Sequence, residues 1–170
     1  MLIFSFTYDI IYVKLRFYRK EVLMTTKILL INGPNLNMLG IRKPEIYGTA
    51  TLAEIEAELI SYGDKKGCLV SCFQSNHEGA IIDAIHSAYG KIDGIIINPG
   101  AYTHYSYAIS DAIESVMIPV VEVHLSDIHN REDFRSKSVI EPVSLCQISG
   151  HGKEGYFMAL DCLLEYLNRK

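Results

Sequence analysis

The run Gly-Ile-Ile-Ile-Asn at residues 94–98 indicates the fold class. Its centre is continuously apolar, and Pro99 and Gly100 follow it directly. A strand with one face in solvent alternates polar and apolar side chains, whereas a strand covered on both faces does not. The run therefore predicts a buried strand in a parallel sheet that helices cover on both sides.

Similar short runs lie on both sides of this strand along the chain: KILLIN (27–32), CLVSCF (68–73), PVVEVHL (119–125) and SLCQIS (144–149). Segments with helical periodicity separate them. Strands that alternate with helices are typical of parallel sheets with right-handed crossovers. We therefore predict an α/β, flavodoxin-like fold: a five-stranded parallel sheet with helices on both faces.

The helices are predicted from their starts and their apolar stripes. Thr51 and Glu54 have the spacing of a capping box, and so do Ser75 and Glu78. A third helix is expected near residues 106–115. The last helix carries the apolar residues Tyr156, Phe157, Leu160, Leu163, Leu164 and Leu167.

The chain of 170 residues has the length of one domain, which we assign to residues 25–170. Residues 1–24 are interpreted as an N-terminal extension outside that domain, with translation starting at Met24 as one explanation. They are apolar first and basic afterwards, the reverse of a signal peptide. Their apolar part is shorter than the roughly 20 residues of a membrane helix. A peripheral membrane anchor is the alternative, because basic residues lie beside aromatic ones.

The composition is that of a soluble globular protein. Hydrophobic residues make up 49%, charged residues 21%, and the formal net charge is −4, which gives no indication of nucleic-acid binding. None of the four cysteines forms a C-x-x-C pair, so we expect free thiols in a reducing compartment, the cytoplasm. The four are Cys68, Cys72, Cys146 and Cys162.

Polar residues gather where three of the predicted strands end: Asn32 to Asn35, Asn98 to His104, and Glu122 to Ser126. Ligands of open α/β sheets bind at the carboxyl ends of the strands. The loop after the first strand also lacks apolar periodicity and contains Arg42 and Tyr47, so it has the length and composition of a lid. The alternative is a turn packed by the Tyr47 ring.

Glu122 and His124 are two residues apart on a strand and therefore share a face. A carboxylate beside an imidazole fixes its tautomer and favours its protonated form, as a general acid requires. A purely structural His124 and a zinc site with His104 are the alternatives, although no metal-type spacing is present. Arg131 and Arg135 are expected on one face of a short helix, where they form with Arg42 either a pocket for a small anion or a solvated charged surface.

Four segments together resemble the signature of type II 3-dehydroquinate dehydratases: NGPNLNMLG (32–40), R-x-P-x-x-YG (42–48), NPGAYTHYS (98–106) and EVHLSDIHNREDFR (122–135). Their order and spacing agree across residues 27–168. The resemblance implies the elimination of water from 3-dehydroquinate in the shikimate pathway, with no metal and no organic cofactor. It also implies a homododecamer built as a tetramer of trimers. The net charge argues against a nucleic-acid partner, and the short apolar part of residues 1–24 argues against a membrane partner.

The resemblance also assigns roles. Tyr47 would be the general base, with Arg42 and Arg131 favouring its phenolate, and Arg42 would stabilise the transition state. Asn35 would hold a water at the enolate oxygen. His124, oriented by Glu122, would protonate the leaving hydroxyl. The substrate-binding residues would be Asn98, His104, Leu125, Ser126 and Arg135, with Leu125 and Ser126 acting partly through backbone N–H groups, and Asp111 from a neighbouring subunit.

Two other functions remain open on the residues alone. One is a flavodoxin-like module that binds a flavin or a nucleotide, although a Gly-rich phosphate loop is lacking and Pro34 removes an N–H donor. The other is a receiver-like signalling domain, which needs a carboxylate at the end of the first strand, where this chain has Asn32. A colourless protein argues against the flavin, and a lack of phosphotransfer argues against the receiver.

Overall fold

The computed structural model describes residues 25–41, 49–130 and 132–169. Its strands are β1 (Thr26–Asn32), β2 (Cys68–Gln74), β3 (Gly94–Asn98), β4 (Val120–His124) and β5 (Cys146–Ser149). Its helices are α1 (Leu52–Lys66), α2 (Glu78–Ala88), α3 (Tyr107–Val116) and α4 (Glu154–Asn168). Short 3-10 turns lie at Leu36–Met38, Gly100–His104, Asp133–Arg135 and Glu141–Val143.

All strand pairs are parallel, and the sheet order is β2-β1-β3-β4-β5. The prediction of a five-stranded parallel α/β fold is therefore confirmed. Asn32 at the end of β1 is in register with Asn98 at the end of β3. Glu122 in β4 is paired with Gln147 in β5. This alignment brings the polar strand ends to one edge of the sheet.

Two apolar layers form the core, one on each face of the sheet. Successive residues of β3 alternate between them: Ile96 joins the cluster that includes α1 and α4, whereas Ile95 and Ile97 join the cluster that includes α2 and α3. All three side chains are completely buried. The uninterrupted apolar run at residues 94–98 thus supplies both layers, as predicted for a strand covered on both faces.

The capping box at the start of α1 is present. The Thr51 hydroxyl accepts from the Glu54 backbone N–H at 3.2 Å, and the Glu54 carboxylate accepts from the Thr51 N–H at 2.8 Å. Ser106 likewise caps α3 by accepting from the Ile109 N–H at 3.1 Å. The capping box was predicted from the sequence spacing and is confirmed, whereas the Ser106 cap was not predicted.

Two local predictions are wrong. Ser75 does not cap α2, because its hydroxyl accepts from the His77 N–H two residues later, and His77 occupies the cap position without a side-chain bond. The short helix predicted to carry Arg131 and Arg135 on one face is also wrong within the described residues, because Glu132 has an extended backbone with ψ 149 and only Asp133–Arg135 form a 3-10 turn. Arg131 itself lies outside the described residues.

The four cysteines are free thiols, as predicted. Cys68 and Cys72 both pack on the α1 and α4 side of the sheet, which agrees with their even spacing in β2. Within the described ranges, no helix combines the length and the apolarity needed to cross a bilayer. The predicted extension, residues 1–24, lies outside the described residues.

Candidate active site

A pocket of about 280 Å³ lies at the carboxyl ends of β1, β3 and β4. It contains seven of the residues that the sequence analysis selected, drawn from four separate parts of the chain. These are Asn35, Asn98, His104, His124, Leu125, Ser126 and Arg135. Pro34, Leu36, Met38, Leu39, Gly100, Ala101 and Ile128 complete the lining.

The first wall of the pocket depends on a close approach of the loops after β1 and β3. The Gly33 N–H donates to the Asn98 carbonyl at 2.7 Å. A Cβ atom on Gly33 would lie 2.4 Å from the Pro99 carbonyl oxygen, so only glycine fits here. Asn35 follows with φ 66, a left-handed conformation that asparagine tolerates, and its N–H donates to Asn76 Oδ1 at 2.9 Å.

Glu122 and His124 form a buried pair at the end of β4. His124 Nε2 lies 2.7 Å from Glu122 Oε1, and the two side chains are 6% and 0% exposed. Burial alone would raise the pKa of the Glu122 carboxyl, but hydrogen bonds from His124, Thr103 and Gln147 outweigh it and lower that pKa. An ionised carboxylate only accepts, so Nε2 of His124 is the donor and carries a proton.

Three residues that hold the Glu122 carboxylate were missed by the sequence analysis. The Thr103 hydroxyl donates to Oε1, and Gln147 Nε2 donates to Oε2 at 2.8 Å. Ser138 Oγ lies 3.0 and 2.9 Å from the two carboxylate oxygens, and it accepts from the Ile140 N–H at 3.0 Å. Of the three, only Gln147 could have been identified from the sequence, because it lies in the predicted strand that follows β4.

His104 and Arg135 approach the pocket from the loops after β3 and β4. His104 Nδ1 lies 2.8 Å from the Lys137 carbonyl oxygen, which can only accept, so Nδ1 carries a proton and Nε2 is left for a ligand. The Arg135 guanidinium stands 5.0 Å from the Phe134 ring centroid and adds a cation to the pocket lining.

The remaining predicted residues are placed differently. Arg42, Tyr47 and Arg131 lie outside the described residues. Asp111 is exposed on α3 and does not line the pocket of its own chain. Ile109, Ala112 and Ile113 of the same helix are buried, so Asp111 lies on the opposite, outward face. Among the described residues, no group of three or more His, Cys, Asp or Glu side chains could hold a metal ion.

Comparison with known proteins gives one consistent family. The family model for dehydroquinase class II matches residues 26–164. The 3-dehydroquinate dehydratase of Ruegeria pomeroyi is 57% identical over 143 residues, which are 84% of this chain and 96% of that protein. The enzyme of the same name from Bacillus cytotoxicus is 57% identical over 141 residues, covering 83% of this chain and 97% of its own.

Solved structures agree with these relatives. The type II dehydroquinase of Butyrivibrio crossotus superimposes with a TM-score of 0.81 at 55% identity, covering 82% of this chain and 98% of that one. The type II dehydroquinase of Propionibacterium acnes superimposes with a TM-score of 0.80 at 42% identity, covering 84% of this chain and 98% of that one. With the fold, the buried Glu122–His124 pair and the family match all in agreement, this chain belongs to the class II dehydroquinase family.

Proposed function

We propose that this chain eliminates water from 3-dehydroquinate to give 3-dehydroshikimate, a step of the shikimate pathway, through an enolate intermediate. The observation that carries the proposal is the buried Glu122–His124 pair in the wall of a polar pocket, in a chain of this family. The reaction removes a proton from C2, beside the C3 ketone, and then expels the C1 hydroxyl as water.

His124 is the general acid for the second step. Its Nε2 bonds to Glu122, so Nδ1 is the nitrogen that transfers a proton to the leaving hydroxyl. Glu122 is completely buried and has a lowered pKa, so it remains ionised and stabilises the imidazolium form of His124. The carboxylate does not itself take part in the proton transfer.

Tyr47 is the general base for the first step. A phenol with a pKa of about 10 is a weak base at neutral pH, and the role proposed for Arg42 and Arg131 is to supply the positive charge that favours its phenolate. Arg42 also stabilises the negative charge of the transition state. Asn35 holds the water that donates to the enolate oxygen, which is an oxyanion-hole role. These groups, together with His124, supply the charge stabilisation, so the reaction needs no metal and no organic cofactor.

The substrate is a small anion with several hydroxyl groups, and the pocket offers matching partners. Among the described lining residues, Arg135 supplies a positive charge. Asn98, His104, Leu125 and Ser126 line the same pocket and bind the carboxylate and hydroxyl groups. Asp111 reaches the site of an adjacent subunit in a homododecamer of four trimers, which explains why it lies outside the pocket of its own chain.

We also propose that residues 25–170 form the catalytic domain, with residues 1–24 outside it. Its place of action is the cytoplasm, a reducing compartment in which the four free cysteines persist. Neither nucleic acid nor a membrane takes part, and the partners are the substrate and further copies of the chain.

The proposal is tested with His124→Gln. Loss of the general acid is expected to lower kcat by about two to four orders of magnitude with a modest change in KM. The control is His86→Gln, an exposed histidine on α2 outside the pocket, which should keep the activity of the original chain. If His124→Gln kept near-normal kcat while folded, His124 would not be the acid.

A further inference from the structure

A chain of buried hydrogen bonds, which the proposed mechanism does not use, runs from α1 to Asn98 in the pocket. Asn32 Nδ2 donates to Glu56 Oε1 at 3.1 Å, and the Tyr156 hydroxyl donates to Asn32 Oδ1 at 2.9 Å. Asn98 Nδ2 then donates to the Tyr156 hydroxyl oxygen at 2.9 Å. Asn32 and Tyr156 are completely buried and Asn98 is 3% exposed, so water does not compete for the two bonds of the Tyr156 hydroxyl, whereas the Asn32–Glu56 bond is only partly buried.

Each bond of this chain can run in only one direction. Partial burial raises the pKa of Glu56, and the Asn32 hydrogen bond opposes that rise by stabilising the ionised form. As a carboxylate, Glu56 only accepts, so Asn32 turns its Nδ2 toward it and its Oδ1 toward Tyr156. An amide oxygen cannot donate, so the single hydroxyl proton of Tyr156 points to Asn32. The Tyr156 oxygen is then left as an acceptor, and it selects the Nδ2 edge of the Asn98 amide.

Two further observations support this direction. Burial raises the pKa of Tyr156, so its hydroxyl keeps the proton that it donates. At the pocket end of the series of hydrogen bonds, Asn98 Oδ1 accepts from the Gly100 N–H at 3.2 Å. Both ends of the Asn98 amide are therefore fixed by the protein before any ligand binds, and a rotated amide would lose both bonds.

We propose that Tyr156 is a positioning residue that, with Asn32 and Glu56, fixes the amide orientation of Asn98 and makes Nδ2 the group offered to the substrate. Nδ2 has a second hydrogen beyond the one that Tyr156 accepts. A carboxylate oxygen can only accept, so it is bound by Nδ2 and repelled by a rotated Asn98 that presents Oδ1. This inference rests on the proposed role of Asn98 in substrate binding.

The main test is Tyr156→Phe, which keeps the ring and removes only the hydroxyl. We expect KM for 3-dehydroquinate to rise by about ten-fold with kcat changed much less, because a binding interaction is weakened equally in ground and transition states. The matched control is Tyr62→Phe on α1, whose hydroxyl donates to Asp161 Oδ2 at 2.8 Å outside the pocket. It should leave KM unchanged. An unchanged KM in folded Tyr156→Phe would overturn the proposal.

A double-mutant cycle separates positioning from general stability. Asn98→Ala should raise KM by itself, and adding Tyr156→Phe to Asn98→Ala should raise it no further, because Tyr156 acts through Asn98. An equal rise in both backgrounds would reject positioning through Asn98 and leave the dehydratase function intact. An unchanged KM in Asn98→Ala would instead reject the binding role of Asn98, and this inference with it.

Glu56, the half-buried end of the series of hydrogen bonds, gives a second test that does not depend on the fully buried Tyr156. Glu56→Leu removes the acceptor for Asn32 and should raise KM several-fold, whereas Glu56→Gln keeps an amide oxygen there and should restore most of the lost binding. Melting temperatures of all variants are measured, and the assays are run well below them. A normal KM in Glu56→Leu would contradict the directional chain.

Discussion

Among single side chains, Glu122 illustrates how this fold maintains a charge in its interior. An isolated buried carboxylate would be protonated, yet donors from two loops, from β4 and from β5 surround this one. The result is a lowered pKa at a completely buried position. The same donors prevent the carboxylate from rotating, so the His124 ring is held in one orientation at the pocket wall.

The lowered pKa predicts a pH dependence of stability. The Glu122 carboxyl releases its proton at a lower pH in the folded chain than in the unfolded chain, where its pKa has the ordinary value of 4.5. The stabilising contribution of Glu122 is therefore fully present above pH 4.5 and is lost as the pH falls through the folded pKa. We expect the difference in unfolding free energy between the original chain and Glu122→Gln to shrink in acid.

Denaturant titrations of both chains from neutral pH to about pH 3 measure this difference. The comparison with Glu122→Gln removes the contribution of the other acidic groups, because both chains share them. A difference that stayed constant, or that grew as the pH fell, would mean that the Glu122 pKa is not lowered in the folded chain.

Among the elements, the carboxyl end of β1 is held against that of β3 by a glycine contact. A Cβ atom at Gly33 would meet backbone atoms of Pro99 at 2.4 and 2.6 Å, and backbone cannot move aside as a flexible side chain can. Gly33→Ala is therefore expected to destabilise the chain by about 2 kcal/mol and to raise KM, because it would displace Asn35 on the loop after β1 and Asn98 at the end of β3, which both line the pocket.

The matched control is Gly79→Ala in α2, where an added Cβ atom meets nothing within 4 Å. It should be neutral or stabilising by up to about 1 kcal/mol, since alanine favours helix more than glycine does. Thermal melts and substrate titrations of both variants provide the measurement. Equal stability of the two alanine variants would disprove the close contact of the loops.

The elements also show which features a sequence can predict. The Thr51–Glu54 capping box and the apolar strand at residues 94–98 depend on neighbours in the chain, and both were predicted correctly. Ser75 was predicted wrongly because a local bond to His77 competes with capping. A short helix was predicted before Arg135 from the spacing of two arginines, and a 3-10 turn is found at Asp133–Arg135, because the spacing of charges does not determine backbone conformation.

The candidate site divides in the same way. From their places at the predicted strand ends, Asn98, His104 and His124 were expected to meet, and all three line the pocket. Their roles remain predictions. Thr103 and Ser138 were not predicted, because their contacts with Glu122 span 19 and 16 residues and have no local signature. The direction of the bonds through Tyr156 likewise appears only when three distant segments meet.

For the chain as a unit, the family match over residues 26–164 and the order of the sheet agree with the predicted function. That match also decides against the flavin-binding and receiver-like alternatives. The assembly stays a prediction. Asp111 is an exposed carboxylate on α3, which is compatible either with a solvated residue or with one that enters a neighbouring subunit.

Subunit mixing tests the role of Asp111 across the interface. Tyr47→Phe and Asp111→Ala are each expected to be inactive or nearly so. When the two are dissociated and reassembled together, some sites will pair an intact Tyr47 with an intact Asp111 from the neighbour, so part of the activity should return. Mixed oligomers that are verified by mass and remain inactive would place both residues in the same subunit's site.

The most direct measurement of the proposed activity is an absorbance assay with the substrate itself. The purified chain, in catalytic amount, is mixed with 3-dehydroquinate, and the ultraviolet absorbance of the conjugated enone product is followed. We predict a rise far above the uncatalysed rate that continues over many turnovers and yields 3-dehydroshikimate. A folded, assembled protein that produced no enone above the uncatalysed background would contradict the assignment of this chain as a 3-dehydroquinate dehydratase.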